Sequence, residues 1–142
     1  MRQVLSALLI ASLAGCAEMP GPPAAHPYAC LLPSEHHMLV AELFFGRNVS
    51  GREPVSDAEW AEFAAQVVTA NFPDGFTIID GDGQWQNPAT HDISRQRTKI
   101  LLVAAPRSPD LPARLSAVIA AYKTRFRQQS VGIITRDSCA AF

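Results

Sequence analysis

Charge is scarce in this sequence and nearly balanced. Asp, Glu, Lys and Arg make up 18% of its 142 residues and leave a formal net charge of −1, against a usual charged share of about 25%. Such a balance gives no electrostatic pull toward a polyanion, so a nucleic-acid partner is not expected. Long apolar runs are missing too. The longest, Val4 to Leu13, is half of the roughly 20 residues that a membrane-spanning helix needs. No internal repeat occurs, which excludes solenoids and propellers. Gly81 and Gly83 are not followed by a helix, so they form no dinucleotide fingerprint. Asp80-Gly81-Asp82-Gly83 lacks the later ligands of a calcium loop, and Ser56 and Ser130 sit in no nucleophile elbow. What is abundant is apolar residue, at 48%. That excludes a disordered chain and leaves one globular domain, not two.

Part of that apolar excess is an address. Arg2 precedes the run Val4–Leu13, and small residues follow in Leu13-Ala14-Gly15-Cys16. A basic start, a short apolar run and a small-residue box describe a secretory signal. The box resembles the bacterial lipobox, which implies cleavage before Cys16 and acylation of that residue. The alternative is an ordinary signal peptide with a coincidental Cys. Several acyl chains on one residue anchor a protein stably where one does not. Ala17, rather than Asp, follows the Cys. The resemblance thus implies a cell-envelope protein held by its lipid, on the periplasmic side of the outer membrane in a Gram-negative host. Residues 1–15 are assigned to the signal and 16–35 to the lipidated Cys and a tether stiffened by Pro20, Pro22, Pro23, Pro27 and Pro33. Residues 36–142 form a single domain. Loss of Arg2 takes the basic count from 12 to 11 against 13 acidic residues, net −2.

Six elements follow. Met38–Phe45 reads as a buried strand ending at Gly46. Ser56-Asp57-Ala58-Glu59 is a capping box opening a helix to about Phe72, with Trp60, Phe63, Ala64 and Val67 on one face. Phe76–Asp80 is a second strand. Gly81-Asp82-Gly83 reads as a turn or bulge before Gln84-Trp85-Gln86, and Asn87–Arg97 as a polar loop. Thr98–Ala105 is a third strand, apolar enough to be central. Pro109-Asp110-Leu111-Pro112 opens a second helix whose stripe runs from Leu111 to Phe126. Val131–Thr135 is the last strand. The order β-α-β-β-α-β predicts an α+β, ferredoxin-like split βαβ. Its four-stranded antiparallel sheet has both helices on one face, the first and third strands in the middle, and the fourth beside the first.

That topology has a consequence for cysteine. With Cys16 given to lipid, Cys30 precedes the first strand and Cys139 follows the fourth, at neighbouring ends of the sheet. An oxidising compartment then predicts a Cys30–Cys139 disulfide, the alternative being two free thiols. His26, His36 and His37 with Cys30 are candidate metal ligands, but their spacing matches no standard site. No metal and no cofactor are expected.

The chain resembles the family of small bacterial secreted proteins catalogued as the domain of unknown function numbered 3574. The likeness rests on Ala41–Arg47, Val55-Ser56 with Trp60 and Phe63, and Phe72–Thr77. It continues through Gly81–Trp85, Lys99, Ala121-Tyr122-Lys123 with Phe126, and Gln129-Ser130-Val131. It covers about Cys30 to Phe142. It implies the domain and the envelope address, and brings no established activity.

Two faces of the sheet organise the candidate site. Glu42 is a carboxylate inside an apolar central strand, costly to bury unpaired. Lys99 opens the neighbouring strand, and the two are expected to pair on the face free of helices, with Met38, Val40, Phe44, Leu101 and Val103. Trp85 and Arg95 complete this candidate pocket. Something must cover so apolar a face: a second copy of the chain, the Asn87–Arg97 loop, or a ligand. One reading is a non-catalytic envelope module binding through that face. The other is a small dimeric α/β-barrel-like enzyme with Glu42 as general base near Lys99. No catalytic residue is assigned. Trp60 and Tyr122 read as core.

Overall fold

Two runs of branched and aromatic residues become the middle of the sheet, as strands buried by neighbours on both sides. β1 spans His36–Gly46 and β3 spans Ile93–Ala105. β2, Thr77–Gln86, lies beside β3, and β4, Gly132–Ala140, lies beside β1. The order is β2-β3-β1-β4, antiparallel throughout. The computed structural model describes residues 28–86 and 90–142, with Trp85 described by its backbone alone. The expected signal peptide, Cys16 and the tether up to Pro27 lie outside the described residues. Among the described residues no helix is long and apolar enough to cross a membrane.

The helical layer follows from the sequence signals. Ser56 Oγ accepts from the Glu59 backbone amide, and the Glu59 carboxylate accepts from the Ser56 amide, which closes the capping box. α1 (Asp57–Phe63) runs through a π-helical turn, Ala64–Val68, into α2 (Thr69–Asn71). The wide turn alters the expected face: Val68 is fully buried where Val67 was expected, and Val67 only packs against the margin. α3 (Leu111–Phe126) begins with Pro112 in its first turn and ends at Arg127, whose φ of 52° is left-handed. Leu111, Leu115, Val118, Tyr122 and Phe126 face inward, as the stripe predicts.

Both helical segments pack on one face of the sheet, against Ala41, Leu43, Phe45, Leu101 and Val103. Phe45, Trp60, Phe63, Tyr122 and Phe126 form its aromatic centre, with Phe45 and Tyr122 rings 4.7 Å apart and near-perpendicular. Such pairs contribute about 0.5–1.5 kcal/mol each beyond burial. The Tyr122 hydroxyl donates to the Gly46 carbonyl at 3.0 Å. Burial pushes its ionisation up to about 12. The protein is thus of the α+β class, a four-stranded open antiparallel sheet with two helices.

Of the boundaries that differ from the sequence reading, three shift most. Gly81-Asp82-Gly83 lies inside β2, not in a turn. Ile93–Arg97, expected in a loop, belongs to β3 and pairs with β2. β4 reaches Ala140 rather than stopping at Thr135. The first two share a cause. The ladder of β1 ends at Gly46 opposite Thr98, so the far half of the β2–β3 hairpin extends beyond the core. Strands that leave the core carry polar residues and read as loop. Cys139 consequently sits within β4, bonded to Cys30, with Cα atoms 5.6 Å apart.

Candidate functional site

Pairing decides which side chains share a face, because directly opposed residues of an antiparallel ladder point the same way. Glu42 is opposite Leu102 and Ile134, while Phe45 is opposite Lys99. The free face therefore carries Met38, Val40, Glu42 and Phe44 from β1 with Ile100, Leu102 and Ala104 from β3. Lys99, Leu101 and Val103 belong to the helix side. The expected Glu42–Lys99 pair is not formed, and Leu101 and Val103 lie in the core instead of on the free face. Counting along one strand fixes its two sets of residues but not which set meets which on the next strand.

Lys99 has another task. Its buried ammonium lies 3.0 Å from Asp57 Oδ1 and 2.6 Å from Asp80 Oδ1. Arg47, also buried, reaches Asp57 at 2.9 Å and donates from Nε to the Val55 carbonyl. A hydrogen bond from Lys99 and the charge of Arg47 hold the Asp57 carboxyl below the usual carboxylate range. This cluster ties the start of α1 to β1, β2 and β3, and it is structural. Arg95 donates to Gln84 at 2.9 Å on the projecting hairpin, away from Glu42. The Trp85 backbone pairs with Ser94, eight positions from Thr77, or about 26 Å along the strand. Its place in the expected pocket rests on a side chain outside the described residues. The four candidate pocket residues are thus not brought together.

Glu42 has a different partner: its Oε1 accepts from Arg136 Nη1, with the arginine half exposed. Arg136 is directly opposite Val40 in the β1–β4 ladder, on the free face. Beside it the free face sinks into a cavity of about 680 Å³. Met38, Val40, Leu102 and Ala104 make the floor, and Phe76, Pro106 and Phe142 stand around it. Asp74, Thr77 and Arg136 supply polar groups. Sites for small molecules have this character: about 300–1,000 Å³, mostly apolar, with a few convergent polar groups. Phe76, Arg136 and Phe142 escaped the sequence reading. The visible signal was the alternation Ile134, Arg136, Ser138, which continues β4 past Thr135.

The family model for "Protein of unknown function (DUF3574)" matches residues 40–142. The chain belongs to the DUF3574 family. No curated protein matches it. Among solved structures, this DUF3574 chain is similar to a phage SAM lyase in complex with S-methyl-5'-thioadenosine. The TM-score is 0.57 and the identity 12%, over 74% of this chain and 90% of that one. The apo state of the phage SAM lyase gives a TM-score of 0.56 at 12% identity, over 75% and 90% of the two chains. At that identity the likeness is one of fold.

Proposed function

We propose that this DUF3574 protein is a lipid-anchored envelope protein whose domain is a non-catalytic binding module. Its ligand is a small apolar molecule seated in the cavity of the free sheet face. The cavity carries the reading: about 680 Å³ floored by Met38, Val40, Leu102 and Ala104. Apolar area removed from water there is worth roughly 25 cal/mol per Å². Arg136 is already engaged by Glu42, so the rim orients a ligand rather than capturing an anion. The enzyme reading is weakened, since Glu42 and Lys99 lie on opposite faces and the base loses its cationic neighbour. The anchor rests on Leu13-Ala14-Gly15-Cys16, and Ala17 directs the sorting to the outer membrane of a Gram-negative host.

A second occupant is favoured by one observation. Ile79 and Ile134 stand about half exposed on the same face, at 47% and 52%. A second copy laid sheet to sheet would cover them.

Native mass spectrometry of protein purified without detergent separates these readings. The ligand reading predicts a monomer carrying added small-molecule mass, which Ala104→Trp removes by filling the floor. A ligand-free dimer favours the second copy. A bare monomer that also takes up no neutral apolar probe contradicts both. Binding of S-methyl-5'-thioadenosine, included because of the shared fold, would reopen an enzymatic role. For the anchor, Cys16→Ser shifts the protein from the membrane to the soluble fraction, and unchanged membrane association contradicts it.

A further inference from the structure

The start of β1 and the end of β4, next to Met38 and Ala140 of the cavity, gather three ligand groups on the other face of the sheet. His37 and Cys139 are partners in the β1–β4 ladder. His37 Nδ1 lies 3.9 Å from Cys139 Sγ, and Cys139 is bonded to Cys30. The three ligand atoms fall within 4.8 Å of one another, and all three residues are half-buried, within reach of solvent ions. The Tyr28 ring packs edge-on against His37, centroids 5.3 Å apart, and limits how the imidazole turns. Tetrahedral zinc, with bonds of about 2.3 Å to sulfur and 2.0–2.1 Å to nitrogen, sets S···N near 3.5 Å and S···S near 3.8 Å. The imidazole already stands at about the required distance. That distance is to the Cys139 sulfur; the two sulfurs must part, and the Cys30 sulfur must settle within the same reach of the imidazole.

We propose that Cys30, Cys139 and His37 form a redox-gated site for a zinc-class divalent ion. A dithiol reductant opens the bridge: the S–S bond gains two electrons and two protons, and the reductant becomes a disulfide. Metal binding then releases both thiol protons to water. Two thiolates and a neutral imidazole hold the ion, with a fourth position for water. The cross-link between the lead-in to β1 and the end of β4 thus persists in either redox state, as a covalent bond or as a metal bridge. Sequence spacing hid the site, because its third ligand comes from the far end of the chain.

Cobalt titration of the Cys16→Ser chain tests this, since Cys30 and Cys139 are then the remaining cysteines. After reduction with a phosphine, the chain takes up one Co²⁺ with thiolate-to-cobalt charge-transfer absorption, and Zn²⁺ displaces it. The oxidised chain gives no such absorption. His37→Ala weakens Co²⁺ binding by at least the about 10–100-fold that loss of an outer-shell partner costs. Absence of the absorption in the reduced chain, or equal affinity in His37→Ala, overturns the proposal. Should reduction unfold the chain, circular dichroism decides. Recovery of the native spectrum on adding Zn²⁺ supports the site, and failure to recover overturns it.

Discussion

Lys99 is 8% exposed, while its carboxylate partners Asp57 and Asp80 are 66% and 57% exposed. The two sides of this cluster therefore answer differently to mutation. Lys99→Met removes the buried charge and leaves two carboxylates that water can solvate, at a cost of about 1 kcal/mol. Asp57→Asn with Asp80→Asn strands a buried ammonium, and breaking such a pair from that side costs up to about 3–5 kcal/mol. Urea midpoints of the two variants check the order; equal losses would contradict it. Glu59 gives a pH prediction. The Ser56 amide and Arg52 pull its ionisation down to about 2 from 4.5. The unfolded chain therefore binds more protons between those values. Stability is fully present above about pH 4.5 and is lost as pH falls toward 2. Glu59→Gln should flatten that slope in urea melts between pH 5 and pH 2. At this scale Trp60 and Tyr122 were legible from helical spacing, because one strong period decides burial. The face of Lys99 was not, because it depends on register with a neighbour distant in sequence.

Among elements, the capping box and the central strands were readable because each is a local signal. β4 beyond Thr135 and β3 before Thr98 were not, because polar residues on exposed strands carry little period. The π-helical turn exchanged Val67 for Val68 in the core, a one-residue shift that an averaged helical period cannot see. Ser56→Ala tests the cap: it removes the acceptor for the Glu59 amide and should cost about 1 kcal/mol. Thermal melts would read that as a shift of several degrees. The disulfide acts between elements, closing a separation of 109 residues. Constraint on a chain that long is worth up to about 4–5 kcal/mol, and losing such a bridge typically costs 2–5. Cys30→Ala with Cys139→Ala, measured by denaturant titration in metal-free buffer, should fall in that range. A loss below about 1 kcal/mol would show that the sheet edges hold without the bond.

At the scale of the molecule, the sheet has one face closed by helices and one face open. The helix side takes Phe45, Trp60, Phe63, Tyr122 and Phe126 and the buried cations Arg47 and Lys99. The free side keeps a floor of Met38, Val40, Leu102 and Ala104 with, among the described residues, no helix against it. The sequence announced that such a face existed, through two apolar strands too rich for a half-wet sheet. It did not announce where on the face the cavity lies, because Phe76, Arg136 and Phe142 reach it from three separate segments. The most direct measurement is a fluorescence titration of the folded chain with neutral N-phenyl-1-naphthylamine, run alongside Ala104→Trp. Saturable binding at one site per chain is expected, weakened at least tenfold by the tryptophan while far-ultraviolet circular dichroism stays unchanged. A folded chain that shows no saturable binding, or a variant that binds as well as the parent, would contradict it.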